Sequence, residues 1–163
     1  MRKIITVVAI LFLAVYTVPS SLIAATQNIP KIKVMWRSYA LVSVLVAPTT
    51  TSEQLKALIY AFRKAKKEGS LSQYIPATTP GVKGDPHQTV MIFVFSDPKW
   101  ASEFEYKKYE RAGISTQKDK SISKEYLNHI RASYEYDFID GKEYGALGYD
   151  IGTLRSSTFK KLF

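Results

Sequence analysis

The 163-residue sequence predicts a single small α+β domain: a mixed sheet of about four strands in the order β-α-β-α-β-β, with helices mainly on one face. Three observations carry this expectation. Two short apolar runs, 39–46 and 89–95, flank a segment with helical periodicity. A second helical segment follows the second run. A period-two stretch with an Asp140-Gly141 turn then closes the sheet.

The first 24 residues stand apart from the fold. Met1-Arg2-Lys3 places charge ahead of an apolar run over 4–18, interrupted only by Thr6, Tyr16 and Thr17. Pro19-Ser20-Ser21 breaks that run, and Leu22-Ile23-Ala24-Ala25 ends it on small residues. That is the layout of a secretory signal peptide over 1–24. The rival reading is an uncleaved membrane tether. The uninterrupted run of 15 residues falls short of the roughly 20 that span a bilayer, unless Pro19 and two serines are counted in. Residues 25–36 then read as an N-terminal linker or leading strand, 37–152 as the domain and 153–163 as a C-terminal tail.

Composition narrows the chemistry. With 0 Cys, the chain has no thiol nucleophile, thiolate metal site, iron–sulfur cluster or Cys-borne lipid. An exported domain without disulfides must rely on its hydrophobic core, and the 139 residues that 163 less 24 leaves are enough for one. The net charge is +9, and removing Arg2 and Lys3 makes it +7. The distribution is uneven. Residues 53–68 carry five cations against two carboxylates and 99–124 carry seven against four, whereas 131–150 carry two against five. Basic surface outside the cytosol suits an anionic envelope component.

Each element has a local cause. Residues 32–37 alternate polar and apolar and lead toward a strand. The run at 39–46, rich in Val and stopped before Pro48, suits a strand buried on both faces. Thr50 with Glu53, or Thr51 with Gln54, fits a capping box. Leu55, Leu58, Ile59, Phe62 and Ala65 then form one helical stripe over about 52–68. Lys64, Lys66 and Lys67 crowd its last turn, where cations suit the helix dipole, and Gly69 fits the position after it. Residues 70–88, with three prolines, predict a long loop. Residues 89–95 leave no polar face and read as a second buried strand. Asp97-Pro98 then signals a helix over 98–112 whose inner face is Trp100, Ala101, Phe104, Tyr109 and Ala112. A short helix is expected across 124–130. Tyr134, Tyr136 and Phe138 alternate with Ser133, Glu135 and Asp137, predicting a strand with an aromatic buried face and an acidic wet face. Gly145 and Gly148, in the returning strand, suggest a bulge or a close backbone approach.

Few residues point to chemistry. No HExxH, GxSxG or Walker loop occurs, no nucleic-acid motif is present, and no catalytic residue, metal or cofactor is assigned. His87, two residues after Asp85, and His129, four after Glu125, read as surface histidines. One ligand site follows from topology. If the first two strands are parallel, Thr49, Thr50, Thr51, Ser96 and Asp97 meet at their carboxyl edge, where helix N-termini favour anions. A second candidate is the basic surface of Arg63, Lys64, Lys66 and Lys67. The functional expectation is an exported bacterial domain, periplasmic or extracellular, that binds a ligand or an envelope partner without catalysis. A small hydrolase assembled only in the fold, and a membrane-tethered domain, are the alternatives.

Overall fold

A computed structural model describes residues 28–113 and 117–163. The expected leader over 1–24 lies outside them. The chain runs β1 (Lys33–Ser38), β2 (Leu41–Leu45), α1 (Ser52–Lys67), a 3₁₀ turn (Leu71–Gln73), β3 (Thr89–Phe95), α2 (Glu103–Ala112), α3 (Gln117–His129), β4 (Ala132–Asp137), β5 (Glu143–Leu147) and β6 (Lys160–Lys161). The class is α+β, as the sequence predicts. The sheet has six strands rather than four, ordered β1-β2-β3-β4-β5-β6. β2 and β3 are parallel, joined through α1, and every other pair is antiparallel.

The two additional strands are at the sheet edges. β1 is half-exposed and pairs with β2 across a bulge between Val34 and Trp36. β6 is only Lys160–Lys161, too short and polar to show a strand pattern. Just beyond it, Phe163 packs against the α1 layer, and the Arg63 guanidinium lies 4.1 Å from its ring centroid.

Helices cover both faces of the sheet, which corrects the one-face expectation. Strand residues of one parity, among them Val42, Val44, Val90, Ile92, Val94 and Tyr134, pack on α1 through Leu55, Leu58, Ile59, Phe62 and Ala65. The opposite parity, including Leu41, Phe93 and Phe95, packs on Trp100, Ala101, Tyr126, Leu127 and Ile130 from α3 and the turn before α2. Alternating residues of β2 and β3 therefore fill two cores, which accounts for their unbroken apolar runs.

Local signals explain α1 well. Thr51 accepts from the Gln54 N–H and the Gln54 side chain accepts from the Thr51 N–H, so the second of the two capping boxes forms. Gly69, at φ 68°, ends the helix. α2 starts later than Asp97-Pro98 suggests. Asp97 caps a single turn, accepting from the Lys99 N–H at 2.8 Å, and Ser102 then caps the helix proper. The later start rotates the helix. Phe104, expected inside, is 75% exposed, and Glu105 is buried in its place. α3 begins well before residue 124.

The hairpin turn spans four residues, 138–141, rather than two, because the Asp137 N–H donates to the Lys142 carbonyl. Gly141 still takes the left-handed φ of 64°. At Gly145 an added Cβ would overlap the Phe163 ring and Ile59, so the close approach expected there is present.

Candidate functional site

The β4 face expected to be wet is covered by the second helical layer, and this creates the candidate site. Ser133 is buried, and Glu135, one pleat further along, lies between Met91 of β3 and Tyr144 of β5 in the sheet register. These three residues floor a cleft of about 350 Å³. Ala40, Thr89, Asp137, Asp140, Lys142 and Asp150 also line it. Four carboxylates and one ammonium therefore line one cleft in a chain of net charge +9. The ammonium is already engaged, since Lys142 pairs with Asp140.

Each charged group in the cleft has a distinct environment. Burial pushes the Glu135 carboxyl up from its ordinary value, and a hydrogen bond from the Tyr149 hydroxyl only partly opposes this. Tyr149 is itself raised, first by burial and then by Glu135. Tyr109 of α2 is raised by burial and by the same carboxylate. Asp150 is held below the ordinary carboxylate range, first by the Gly152 N–H at 2.7 Å and then by Arg155, whose Nε lies 2.9 Å away. The cleft thus contains an anchored carboxylate, Asp150, and a carboxyl that keeps its proton to higher pH, Glu135.

Two polar atoms on the floor lack partners. Glu135 Oε1 and the Tyr144 hydroxyl are both buried, and neither hydrogen-bonds to any described residue. The two side chains belong to directly opposed residues of β4 and β5. Buried polar atoms are paired in the great majority of native positions, so two adjacent exceptions on a cleft wall call for an explanation. Burial, with Asp150 and Glu135 nearby, pushes the Tyr144 phenol up to about 12, so it remains a neutral donor. Glu143, on the opposite face of the sheet, is a useful contrast. It is saturated by Arg63 at 2.8 Å, the Tyr134 hydroxyl at 3.1 Å and Lys67 at 3.8 Å.

The sequence-predicted residues lie elsewhere. Thr49, Thr50, Thr51, Ser96 and Asp97 follow the carboxyl ends of the parallel pair, at the end of the sheet opposite the cleft. Their groups are mostly engaged. Thr51 is the α1 cap, Thr50 is buried with its carbonyl accepting from Arg131, and Asp97 caps its own turn. Because α2 begins at Glu103, only the α1 N-terminus points into this region.

The four α1 residues of the expected basic surface are paired within the fold. Arg63 and Lys67 reach Glu143, Lys64 lies 3.8 Å from Glu68, and Lys66 lies 2.8 Å from Asp85 and over the Tyr136 ring. A cavity of about 420 Å³ runs along α1, but its charged walls, Lys64 and Glu68, face each other as an ion pair.

Of the two histidines expected at the surface, only His129 is there. His87 is 2% exposed, not at the surface. His129 is exposed but stacks on Trp100, with centroids 4.0 Å apart and planes 9° from parallel. Among the described residues no group of three or more His, Asp or Glu is placed to hold a metal ion. Nor is any helix there long and apolar enough to cross a membrane.

Sequence reasoning missed Glu135 because its alternation with Tyr134 and Tyr136 is the usual mark of a solvated face. The available signal was the acidic excess over 131–150 set against a basic chain. No protein-family model, curated protein or solved structure matches the chain.

Proposed function

We propose that this is an exported binding domain whose cleft over β3, β4 and β5 takes a small organic cation. The observation that carries the reading is the unpartnered pair on the cleft floor, Glu135 Oε1 and the Tyr144 hydroxyl. A primary amine or guanidinium supplies donors to the carboxylate. The phenol ring adds a face that attracts cations. Asp150, also in the cleft lining, stays ionised with its charge balanced by Arg155. In a cleft partly screened from water these charges act more strongly than on open surface.

Export is supported by the charge-then-apolar pattern of residues 1–25, and the lack of cysteine leaves the fold independent of redox compartment. Cleavage and retention of the leader both leave the cleft outside the cytosol. An anionic partner is less well served, because the α1 cations it would use are paired internally.

The test is thermal stabilisation by a panel of millimolar organic cations (putrescine, agmatine, lysine methyl ester) against anions of matched size. The reading expects melting to rise with at least one cation, and the rise to vanish in Glu135→Gln. Stabilisation by anions alone, or by cations equally in the variant, overturns it.

A further inference from the structure

The loop between α1 and β3 contains an arrangement that the cleft does not use. Ser72, on the 3₁₀ turn, has its Oγ 2.9 Å from His87 Nε2, and Thr78 Oγ1 lies 3.3 Å from His87 Nδ1. The hydrogen-bond chain fixes the tautomer. A threonine hydroxyl has one proton, and Thr78 donates it to the Thr89 carbonyl at 2.8 Å. Toward His87 it can only accept, so Nδ1 carries the imidazole proton. Nε2 is then the lone-pair nitrogen, and Ser72 must donate to it.

We infer that Ser72 is an activated nucleophile, with His87 as its general base and Thr78 as a positioning residue, competent to take the acyl group of small activated esters. The roles match what such chemistry needs: a nucleophile hydrogen-bonded to a base that a third group orients. Ser72 is exposed, where an incoming carbonyl can reach it, while His87 is 2% exposed and fixed at both nitrogens. None of the three residues lines the acidic cleft, so the inference stands apart from the cation reading.

The step balances. Ser72 Oγ bonds to the ester carbonyl carbon while its proton passes to Nε2. The carbon–alkoxide bond breaks and the alkoxide leaves with that proton as an alcohol. Water, deprotonated by the same nitrogen, then attacks the acyl-serine, releasing the carboxylic acid and restoring the hydroxyl. The charged and polar neighbours of the ring are Asp85, Lys66, Ser72 and Thr78. Asp85 accepts from the His87 backbone N–H at 2.8 Å and pairs with Lys66. Burial lowers the His87 pKa, Asp85 opposes this and Lys66 adds to it, so the base is neutral at neutral pH.

The probe is an alkyl fluorophosphonate, read by peptide mass spectrometry on the folded chain, with melting curves for every variant. The parent should be labelled at Ser72 in preference to its other serines. The rate should rise from acid pH and level off by neutrality as the imidazole loses its proton. Ser72→Ala should abolish the label while the chain still melts cooperatively, its melting point lowered by no more than the one hydrogen bond to His87 accounts for, and His87→Gln should reduce the label at least ten-fold. If His87→Gln does not fold, Thr78→Val serves instead, with a several-fold slower rate expected and Thr78→Ser restoring it. Absence of a Ser72 adduct in the parent overturns the inference. So does a rate unchanged in a folded His87→Gln or Thr78→Val chain.

Discussion

Glu135→Gln separates the cost of burying a charge from the shape of the side chain that bears it. Burial raises the Glu135 carboxyl above its ordinary value of 4.5, and the Tyr149 hydroxyl recovers only part of that cost. The folded chain therefore holds this proton more tightly than the unfolded chain. Below about pH 4.5 both states are protonated and the residue favours folding fully. Above it the unfolded chain ionises first, and stability falls with rising pH until the folded-state pKa is passed. One proton limits the slope to about 1.4 kcal/mol per pH unit. Gln keeps the length of the side chain, still accepts from Tyr149 and cannot ionise. Urea unfolding in half-unit steps from pH 4 to 8 should show parent and variant running parallel at the acid end. The variant should then gain on the parent by up to that slope, and the difference should level off where the folded-state carboxyl ionises. A difference that does not vary with pH, or a parent that gains on the variant above pH 4.5, would refute the reasoning.

Three further outcomes follow from the packing. Gly141→Val should cost at least about 1 kcal/mol in a thermal melt, since a β-branched residue resists the φ of 64° found there. Gly145→Ala should cost about 1–3 kcal/mol through overlap with Phe163 and Ile59, and adding Phe163→Ala should recover part of the loss in a double-mutant cycle. Lys66→Met should destabilise the chain at neutral pH. Burial alone would raise Asp85, but the Lys66 hydrogen bond, with the His87 N–H, outweighs it and leaves the carboxyl lowered. That stabilisation is present above the unfolded value of 3.8 and is lost as pH falls through the lower folded value, so the gap between parent and variant should close in acid.

What could be read from the sequence was local. The α1 stripe, its capping box, the Gly69 stop and the two doubly buried strands are set by residues within a few positions of one another. The parallel pairing followed from a helix lying between two unbroken apolar runs. The start of α2 was obscured because two capping signals compete. Asp97-Pro98 spends its signal on one turn, and Ser102 begins the helix. The cleft could not be read at all. Period two marks which residues share a face of β4, but not whether a later layer covers that face. Here Tyr109 of α2 and Tyr149 beyond β5 both interact with Glu135, and both come from other parts of the chain. His87 was hidden for the same reason, since its partners Ser72 and Thr78 lie 15 and 9 residues away within one loop.

The most direct test of the cleft is titration calorimetry of putrescine and agmatine into the parent chain. It is run in two buffers of different ionisation heat, at a pH between 4.5 and the point where the urea series levels off. A cation seated on Glu135 favours the ionised carboxylate, so binding should expel its proton. The measured heat should then differ between buffers in proportion to the protons released. Glu135→Gln should bind at least about ten-fold more weakly, equivalent to about 1.4 kcal/mol, and show no buffer dependence. Binding of equal strength in parent and variant, or no heat from either cation in the parent, would contradict the account.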